Sequence, residues 1–269
     1  MTPADHIESQ HGRSIQANGL DISYEEHGHG RPLLLIHGGT DSAETWQPYL
    51  PAFAEHYRVI APDSRGHGRT NNPAGTMSYR LFADDIAALV QALGLHKPLI
   101  FGYSDGGQVA LDLGIRYPDL PQALVVGAAW FRFSEAYRAW VRALLGDERS
   151  PEVDTEQFAR DHAGWASWLQ QSYGPDDWQR LLKEIKPMWA TPLNYTSDDF
   201  ARVKAPTLVL LGDRDAIVPI EEASEMYRLL PNAELAVLPG ADHLACFANV
   251  PLTQALVLDF LLRHSGMVE

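Results

Sequence analysis

The most informative segment of this sequence is Gly102-Tyr103-Ser104-Asp105-Gly106-Gly107. It follows a short apolar run, Pro98 to Phe101, and precedes a segment from about Asp105 to Arg116 that has the pattern of a helix. A serine at such a strand-to-helix turn stands exposed at the amino end of the helix, and glycines on either side let the backbone turn without side-chain collision. The stretch therefore predicts a nucleophilic serine, the alternative being a Gly-rich turn with an incidental serine.

Outward from this turn, short apolar runs alternate with amphipathic stretches, which indicates an α/β fold. Continuous apolar runs are typical of strands in a mostly parallel, twisted sheet with helices on both faces. Beyond Pro98 to Phe101, the predicted strands are Pro32 to Ile36, Arg58 to Ala61, Ala123 to Ala128, Pro206 to Leu211 and Glu234 to Leu238.

The two ends of the chain complete this architecture. Ser14 to Ala17 and Leu20 to Tyr24 flank Asn18-Gly19, a pattern that predicts an antiparallel hairpin at the edge of the sheet. An apolar helix around Pro251 to Leu262 is predicted to close the fold.

Between the predicted strands Ala123 to Ala128 and Pro206 to Leu211 the pattern changes to consecutive helical signals. We expect residues 131–199 to form a helical lid inserted into a core made of residues 1–130 and 200–269. Five of the seven tryptophans lie in this insertion, and they are interpreted as either pocket lining or core packing: Trp140, Trp165, Trp168, Trp178 and Trp189.

Composition excludes several classes of function. With 21 Lys plus Arg against 35 Asp plus Glu, the net charge of −14 disfavours nucleic acid and anionic membranes as partners. The amino terminus lacks the apolar stretch of a secretion signal, and the longest apolar runs are too short to cross a bilayer, so we expect a cytoplasmic protein. Cys246 is the only cysteine, which leaves no internal disulfide and no cysteine-based metal site.

A serine hydroxyl needs a base, and the base needs a partner that fixes its tautomer. Both candidates lie downstream, in loops that follow predicted strands: Asp213 and Asp215 in the first loop, Asp242 and His243 in the second. Loops at the carboxyl ends of parallel strands line the ligand crevice of such a sheet. The residues thus indicate a serine, acid and histidine site, with more than one candidate for the acid.

These motifs resemble those of the α/β-hydrolase superfamily over nearly the whole chain, least in the insertion. The segments that carry the resemblance are His37-Gly38-Gly39, Asp63-Ser64-Arg65-Gly66-His67-Gly68, the turn at Ser104, Gly212-x-x-Asp215 and Gly240-x-x-His243. The resemblance implies the α/β-hydrolase fold, with Ser104 as nucleophile, His243 as general base and then acid, and Asp215 in preference to Asp213 as the orienting acid.

The same resemblance implies an oxyanion hole formed by the backbone N–H groups of Gly39 and Asp105. His37 is interpreted as a structural histidine that holds the loop of Gly39.

Asp105, directly after the nucleophile, is a departure from many relatives and is similar to the Ser-Asp-Gly-Gly turn of valacyclovir-hydrolase-like esterases, which act on amino-acid esters. One hypothesis is that the Asp105 carboxylate attracts a substrate ammonium group; the other, slightly favoured, is that it caps the following helix. With Asp105, we expect Tyr103 and Trp130 to contact substrate.

The expected activity is hydrolysis of a small carboxylic ester through an acyl-enzyme, with no metal or other cofactor. The same triad can serve amino-acid ester, lactone or amide hydrolysis, carbon–carbon bond hydrolysis or perhydrolysis. A ligand receptor or binding protein with vestigial turnover is the alternative from another class. A small-molecule ester is the only partner that we expect, and the oligomeric state stays open.

Overall fold

A computed structural model describes residues 10–191 and 193–266, and its centre is an eight-stranded sheet. Along the sheet the strands follow the order β1-β2-β4-β3-β5-β6-β7-β8. In chain order the strands are β1 (Gln10–Ala17), β2 (Leu20–His27), β3 (Arg31–Ile36), β4 (Tyr57–Pro62), β5 (Leu99–Tyr103), β6 (Ala123–Gly127), β7 (Thr207–Gly212) and β8 (Ala233–Leu238).

The sheet is antiparallel only at the edge where β1 and β2 form the expected hairpin. β2 pairs antiparallel with β4, and every pairing from β4 to β8 is parallel. Asn18 and Gly19 both have positive φ, as a two-residue hairpin turn requires. The predicted α/β-hydrolase fold, a mostly parallel sheet flanked by helices, is confirmed.

Helices cover both faces of the sheet, which explains why the inner strands read as continuous apolar runs. The helices are α1 (Leu50–Ala54), α2 (Tyr79–Ala92), α3 (Asp105–Arg116), α4 (Glu135–Leu145), α5 (Thr155–Asp161), α6 (Ala163–Tyr173), α7 (Asp177–Ala190), α8 (Ser197–Phe200), α9 (Ile220–Leu229), α10 (Ala245–Ala248) and α11 (Val250–His264). A short 3₁₀ helix, Ala43–Trp46, follows β3. In the described part of the chain, no helix is long and apolar enough to cross a bilayer.

The five helices from α4 to α8 lie between β6 and β7, and we call them the inserted helices. Among the described residues of this segment there is no strand, in keeping with the helical pattern read from residues 131–199. Its use as a separate lid stays a prediction.

The strand order places two loops side by side at the middle of the sheet. β3 pairs with β5 in a register that sets Ile36 opposite Gly102, so the loops that follow these two strands are neighbours. The strand connections diverge to opposite sides at this point, which is where open α/β sheets bind their ligands. Gly39 and Ser104 belong to these two loops.

Candidate active site

Ser104 lies at a strained turn between β5 and α3. Its φ of 54° and ψ of −119° are unusual for a residue with a side chain. A Cβ on Gly102 would overlap the carbonyl oxygen of Gly106, and a Cβ on Gly106 would overlap the carbonyl oxygen of Ile36. The turn therefore requires glycine at both positions, and the serine keeps its strained backbone because the surrounding packing fixes it.

Two hydrogen bonds connect Ser104 to a histidine and an acid that are distant in sequence. The Ser104 Oγ–H donates to Nε2 of His243 over 3.0 Å, and the Nδ1–H of His243 donates to Oδ2 of Asp215 over 2.9 Å. Because an ionised carboxylate only accepts hydrogen bonds, this arrangement places the ring proton on Nδ1 and leaves Nε2 free to accept the serine proton.

Asp215 is fixed more firmly than its neighbours in the same loops. Its side chain is fully buried, and its Oδ1 accepts hydrogen bonds from the backbone N–H groups of Ile217 and Val218, at 2.8 and 2.9 Å. The two rival acids are engaged elsewhere. Asp213 accepts from the N–H of Gly240, and Asp242 accepts from the N–H of Leu244. Of the three acids, the geometry brings Asp215 to His243.

The loop after β3 is held by His37. The Nδ1–H of His37 donates to the carbonyl of Gly38 over 2.7 Å, and its Nε2 accepts from the N–H of Ser64 over 2.9 Å. With both ring nitrogens engaged inside the protein and the side chain buried, His37 is available only as a structural residue. This matches the interpretation of His37 as a loop-holding histidine.

The N–H groups of Gly39 and Asp105 are free to bind a ligand. Neither donates a hydrogen bond to any acceptor within residues 10–191 and 193–266. Gly39 lies against the Asp105 side chain, and a Cβ at position 39 would overlap the Asp105 carboxylate. The two residues expected to supply the oxyanion donors are thus in contact and line the same cavity as Ser104, and unpaired N–H groups there are suited to a developing oxyanion.

The Asp105 carboxylate does not cap α3, so that interpretation was wrong. Its Oδ1 accepts from the hydroxyl of Tyr79 over 2.9 Å, and its Oδ2 accepts from the indole N–H of Trp189 over 2.8 Å. Within the described chain, no backbone N–H of α3 donates to it. Burial raises the pKa of Asp105 to about 6, against the opposing effect of the two hydrogen bonds.

A cavity of about 800 Å³ opens beside Ser104 and His243. Gly39, Tyr103, Asp105 and Trp130 all line it, so the residues expected to form the oxyanion hole and to contact substrate meet at one site. The inserted helices supply much of the remaining wall, including four of their five tryptophans: Trp140, Trp165, Trp168 and Trp189. The fifth, Trp178, is buried outside the cavity.

The lining of the cavity is acidic as well as aromatic. Asp41, Glu44 and Asp105 contribute carboxylates, and no lysine or arginine of the described chain lines the cavity. Desolvation also raises the pKa of Asp41, which accepts a hydrogen bond from the N–H of Ser42. Apart from His243, the titratable side chains that face the cavity from the core are therefore acids or the phenol of Tyr103.

Three contacts at the site were missed by the sequence reasoning: those of Tyr79 and Trp189 with Asp105, and that of Tyr173 with the loop of Gly39. Each depends on how a helix packs over the sheet. For Trp189 and Tyr173 the only signal in the sequence was the abundance of aromatic residues in the insertion, and for Tyr79 there was no signal.

Cys246, three residues after His243, is not part of the site. Its side chain is buried, burial raises the pKa of its thiol, and its backbone carbonyl accepts a hydrogen bond from the hydroxyl of Tyr49. It packs with the apolar residues between the sheet and α11, as expected of a small apolar core residue.

Comparison with known proteins finds similar sequences and structures over most of the chain. The chain is 29% identical to a non-heme haloperoxidase of Rhodococcus erythropolis, over 91% of this chain and 97% of that protein. It is 27% identical to a 2-hydroxy-6-oxo-6-(2'-aminophenyl)hexa-2,4-dienoic acid hydrolase of Metapseudomonas resinovorans, over 96% and 93% of the two chains. Among solved structures, a thermophilic esterase from Thermogutta terrifontis superposes with a TM-score of 0.77 at 25% identity, covering 94% of this chain and 99% of that one.

A sequence profile described as the Alpha/beta hydrolase family matches residues 33–253, a span that includes Ser104, Asp215 and His243. With the fold, the turn at Ser104 and the order of strands in agreement, the chain belongs to the alpha/beta hydrolase family.

Proposed function

We propose that this protein hydrolyses a small carboxylic ester through an acyl-enzyme formed on Ser104. The observation that carries the proposal is the chain of hydrogen bonds from Ser104 to His243 to Asp215, which opens onto a cavity beside two unpaired N–H donors. A receptor needs neither a polarised serine nor free donors at the same wall, so catalysis accounts for more of the site than binding alone.

The geometry supports a two-step reaction. His243 Nε2 takes the proton of Ser104 as Oγ attacks the ester carbonyl carbon, and the negative oxygen is stabilised by the N–H groups of Gly39 and Asp105. The imidazolium then gives that proton to the departing alkoxide, leaving an acyl-serine. Water attacks the acyl-serine while His243 takes its proton, and the same proton returns to Ser104 Oγ as the carboxylic acid leaves.

The charge of the cavity favours an ester over the dienoic acids that some relatives cleave. The name of the Metapseudomonas resinovorans hydrolase specifies a substrate with a carboxylic acid group. A buried or half-buried carboxylate needs a paired cation or several donors, whereas the cavity wall presents Asp41, Glu44 and Asp105 and, in the described chain, no lysine or arginine. Carbon–carbon hydrolysis of an anionic substrate is therefore the less suited use of this triad.

We expect the protein to turn over neutral p-nitrophenyl esters and to act on 2-hydroxy-6-oxodienoates at least a hundredfold less efficiently, compared as kcat/KM. The panel should also include lactones and a perhydrolysis assay with acetate and hydrogen peroxide. Mass spectrometry after incubation with a fluorophosphonate should find the adduct on Ser104. If the dienoate proves to be the better substrate, or if Ser104 stays unlabelled, the proposal is wrong.

A more specific candidate substrate is an ester whose acyl group carries a positive charge. Three carboxylates line the cavity, and five tryptophans offer aromatic faces, which attract cations. Opposite charges about 4 Å apart gain about 4 kcal/mol at an effective dielectric of about 20, before the cost of desolvation. Asp105, next to the nucleophile, is the carboxylate best placed to act on the acyl group.

The preference for a cation should rise with pH through about 6, because Asp105 is neutral below its pKa and charged above it. The measurement is the ratio of kcat/KM for an ester of betaine to that for the matching ester of 3,3-dimethylbutyric acid. The two acyl groups have the same shape, the positive charge of betaine is permanent, and the ratio cancels the protonation of His243. We expect the ratio to increase about tenfold or more between pH 5 and 8.

Two variants separate Asp105 from the other acids. Asp105→Asn should lower the ratio and remove its dependence on pH, whereas Asp41→Asn should leave the rise near pH 6 in place. If Asp105→Asn reduces kcat/KM equally for the charged and the neutral ester, the carboxylate has a structural role only and the cationic substrate is excluded.

A further inference from the structure

Two side chains of the inserted helices contact the two segments that supply the oxyanion donors. Tyr173, the last residue of α6, places its hydroxyl 2.9 Å from the carbonyl oxygen of Thr40 and 2.6 Å from that of Asp41, in the loop of Gly39. Trp189, near the end of α7, donates its indole N–H to the carboxylate of Asp105. Both donors come from helices, and the three acceptors lie either within two residues of Gly39 or on Asp105 itself.

The loop of Gly39 needs external support, because part of it is strained. Thr40 has a φ of 61°, a left-handed conformation that is strained for a residue with a side chain. A weak turn, from the N–H of Asp41 to the carbonyl of Gly38 over 3.4 Å, spans Gly39 and Thr40. His37 fixes the start of the loop through the Gly38 carbonyl, and the hydroxyl of Tyr173 fixes its end.

Trp189 contacts both Gly39 and Asp105, the two residues whose N–H groups are expected to form the oxyanion hole. The Cζ2 atom of its ring lies 2.6 Å from where a Cβ on Gly39 would be, so the indole packs directly against that residue. The same side chain is almost fully buried and hydrogen-bonded to Asp105. Its position therefore limits how far the loop of Gly39 can move relative to the turn of Ser104.

We propose that Tyr173 and Trp189 are positioning residues through which the inserted helices set the geometry of the oxyanion hole. This inference rests on the proposed acyl transfer at Ser104. Removal of either hydrogen bond leaves the hydroxyl, imidazole and carboxylate in place but lets Gly39 N–H and Asp105 N–H separate. Loss of a whole oxyanion donor costs about 10²–10³ in kcat, and a misplaced donor costs part of that.

Tyr173→Phe, which removes only the hydroxyl, is expected to lower kcat for a neutral p-nitrophenyl ester about tenfold, with KM changed less than twofold. The second-order rate of phosphonylation of Ser104 by a fluorophosphonate should fall by a similar factor, because the phosphoryl oxygen occupies the oxyanion hole. Trp189→Phe should also lower both rates. The matched control is Tyr195→Phe, since the hydroxyl of Tyr195 bonds to Asp112, away from the cavity, and its loss should leave both rates unchanged.

The possible outcomes distinguish a failure of the positioning role of Tyr173 and Trp189 from a failure of the proposed acyl transfer at Ser104. If wild type reacts with the fluorophosphonate at Ser104 and Tyr173→Phe reacts equally fast, the inference is wrong while the proposed function survives. A loss that appears in KM alone, or equally in Tyr195→Phe, also overturns it. If wild type is not labelled at Ser104, both fail together. If Tyr173→Phe melts at a much lower temperature than wild type, its kinetics do not test the inference. The rates of Trp189→Phe, which loses the hydrogen bond to Asp105, then decide whether the inference is right.

Discussion

Ser104→Ala is expected to lower kcat for p-nitrophenyl esters by about 10⁵- to 10⁶-fold. The methyl group cannot attack a carbonyl, and the hydroxyl that bonds to His243 Nε2 is lost. The cavity and the N–H groups of Gly39 and Asp105 remain, so a small residual rate above uncatalysed hydrolysis should persist. The measurement is steady-state kinetics on the purified variant, together with the loss of fluorophosphonate labelling.

The control for this experiment is Ser167→Ala. Ser167 lies on the exposed face of α6, where its hydroxyl accepts a hydrogen bond from Gln171, and it does not line the cavity. Its replacement should leave kcat within about twofold of wild type. Substantial activity in Ser104→Ala, with the protein folded, would mean that another group performs the chemistry.

Asp215→Asn is expected to lower kcat about 10⁴-fold while the fold is retained. The reason lies in the two oxygens of Asp215. Oδ1 accepts from two backbone N–H groups, of Ile217 and Val218, so the amide oxygen of asparagine must take this place. The amide NH₂ then faces Nδ1 of His243, which has to give up its proton and accept instead.

The change of tautomer at His243 also affects Ser104. An imidazole that accepts at Nδ1 carries its proton on Nε2, and a protonated Nε2 cannot take the proton of the serine. Asp213→Asn is the matched control, because Asp213 is two residues away and bonds to the N–H of Gly240 rather than to His243. We expect Asp213→Asn to stay within about threefold of wild type. Equal losses in the two variants, measured as kcat, would remove Asp215 from the triad.

The core of the fold could be predicted from the sequence because its signals are local. Glycine at 102 and 106 is needed by the turn at Ser104 itself, and apolar runs such as Ala123–Gly127 have no polar face, which predicts a strand covered on both sides. The helix from Asp105 to Arg116 begins and ends where it was expected. The convergence of Ser104, Asp215 and His243 followed from the parallel sheet, whose loops meet at one edge.

The inserted helices could not be predicted to the same depth. Their amphipathic pattern indicates helices, but which face of α6 or α7 turns toward the cavity depends on how they pack against one another. The contacts of Tyr173 and Trp189 are therefore visible only in three dimensions. For the same reason the expectation that Asp105 caps α3 was wrong, since donors from α2 and α7 override the local preference of an aspartate for the first turn of a helix.

Because Cys246 is buried, chemical modification of its thiol can report how often the segment after His243 opens. A thiol reagent cannot reach this side chain, which is fully enclosed and has a raised pKa, until the segment after His243 separates from the sheet. Because it is the only cysteine in the chain, its rate of modification measures how often that segment opens, without any introduced label. Comparison of that rate with and without a covalent inhibitor on Ser104 would give the free energy by which occupancy of the cavity holds the histidine segment closed.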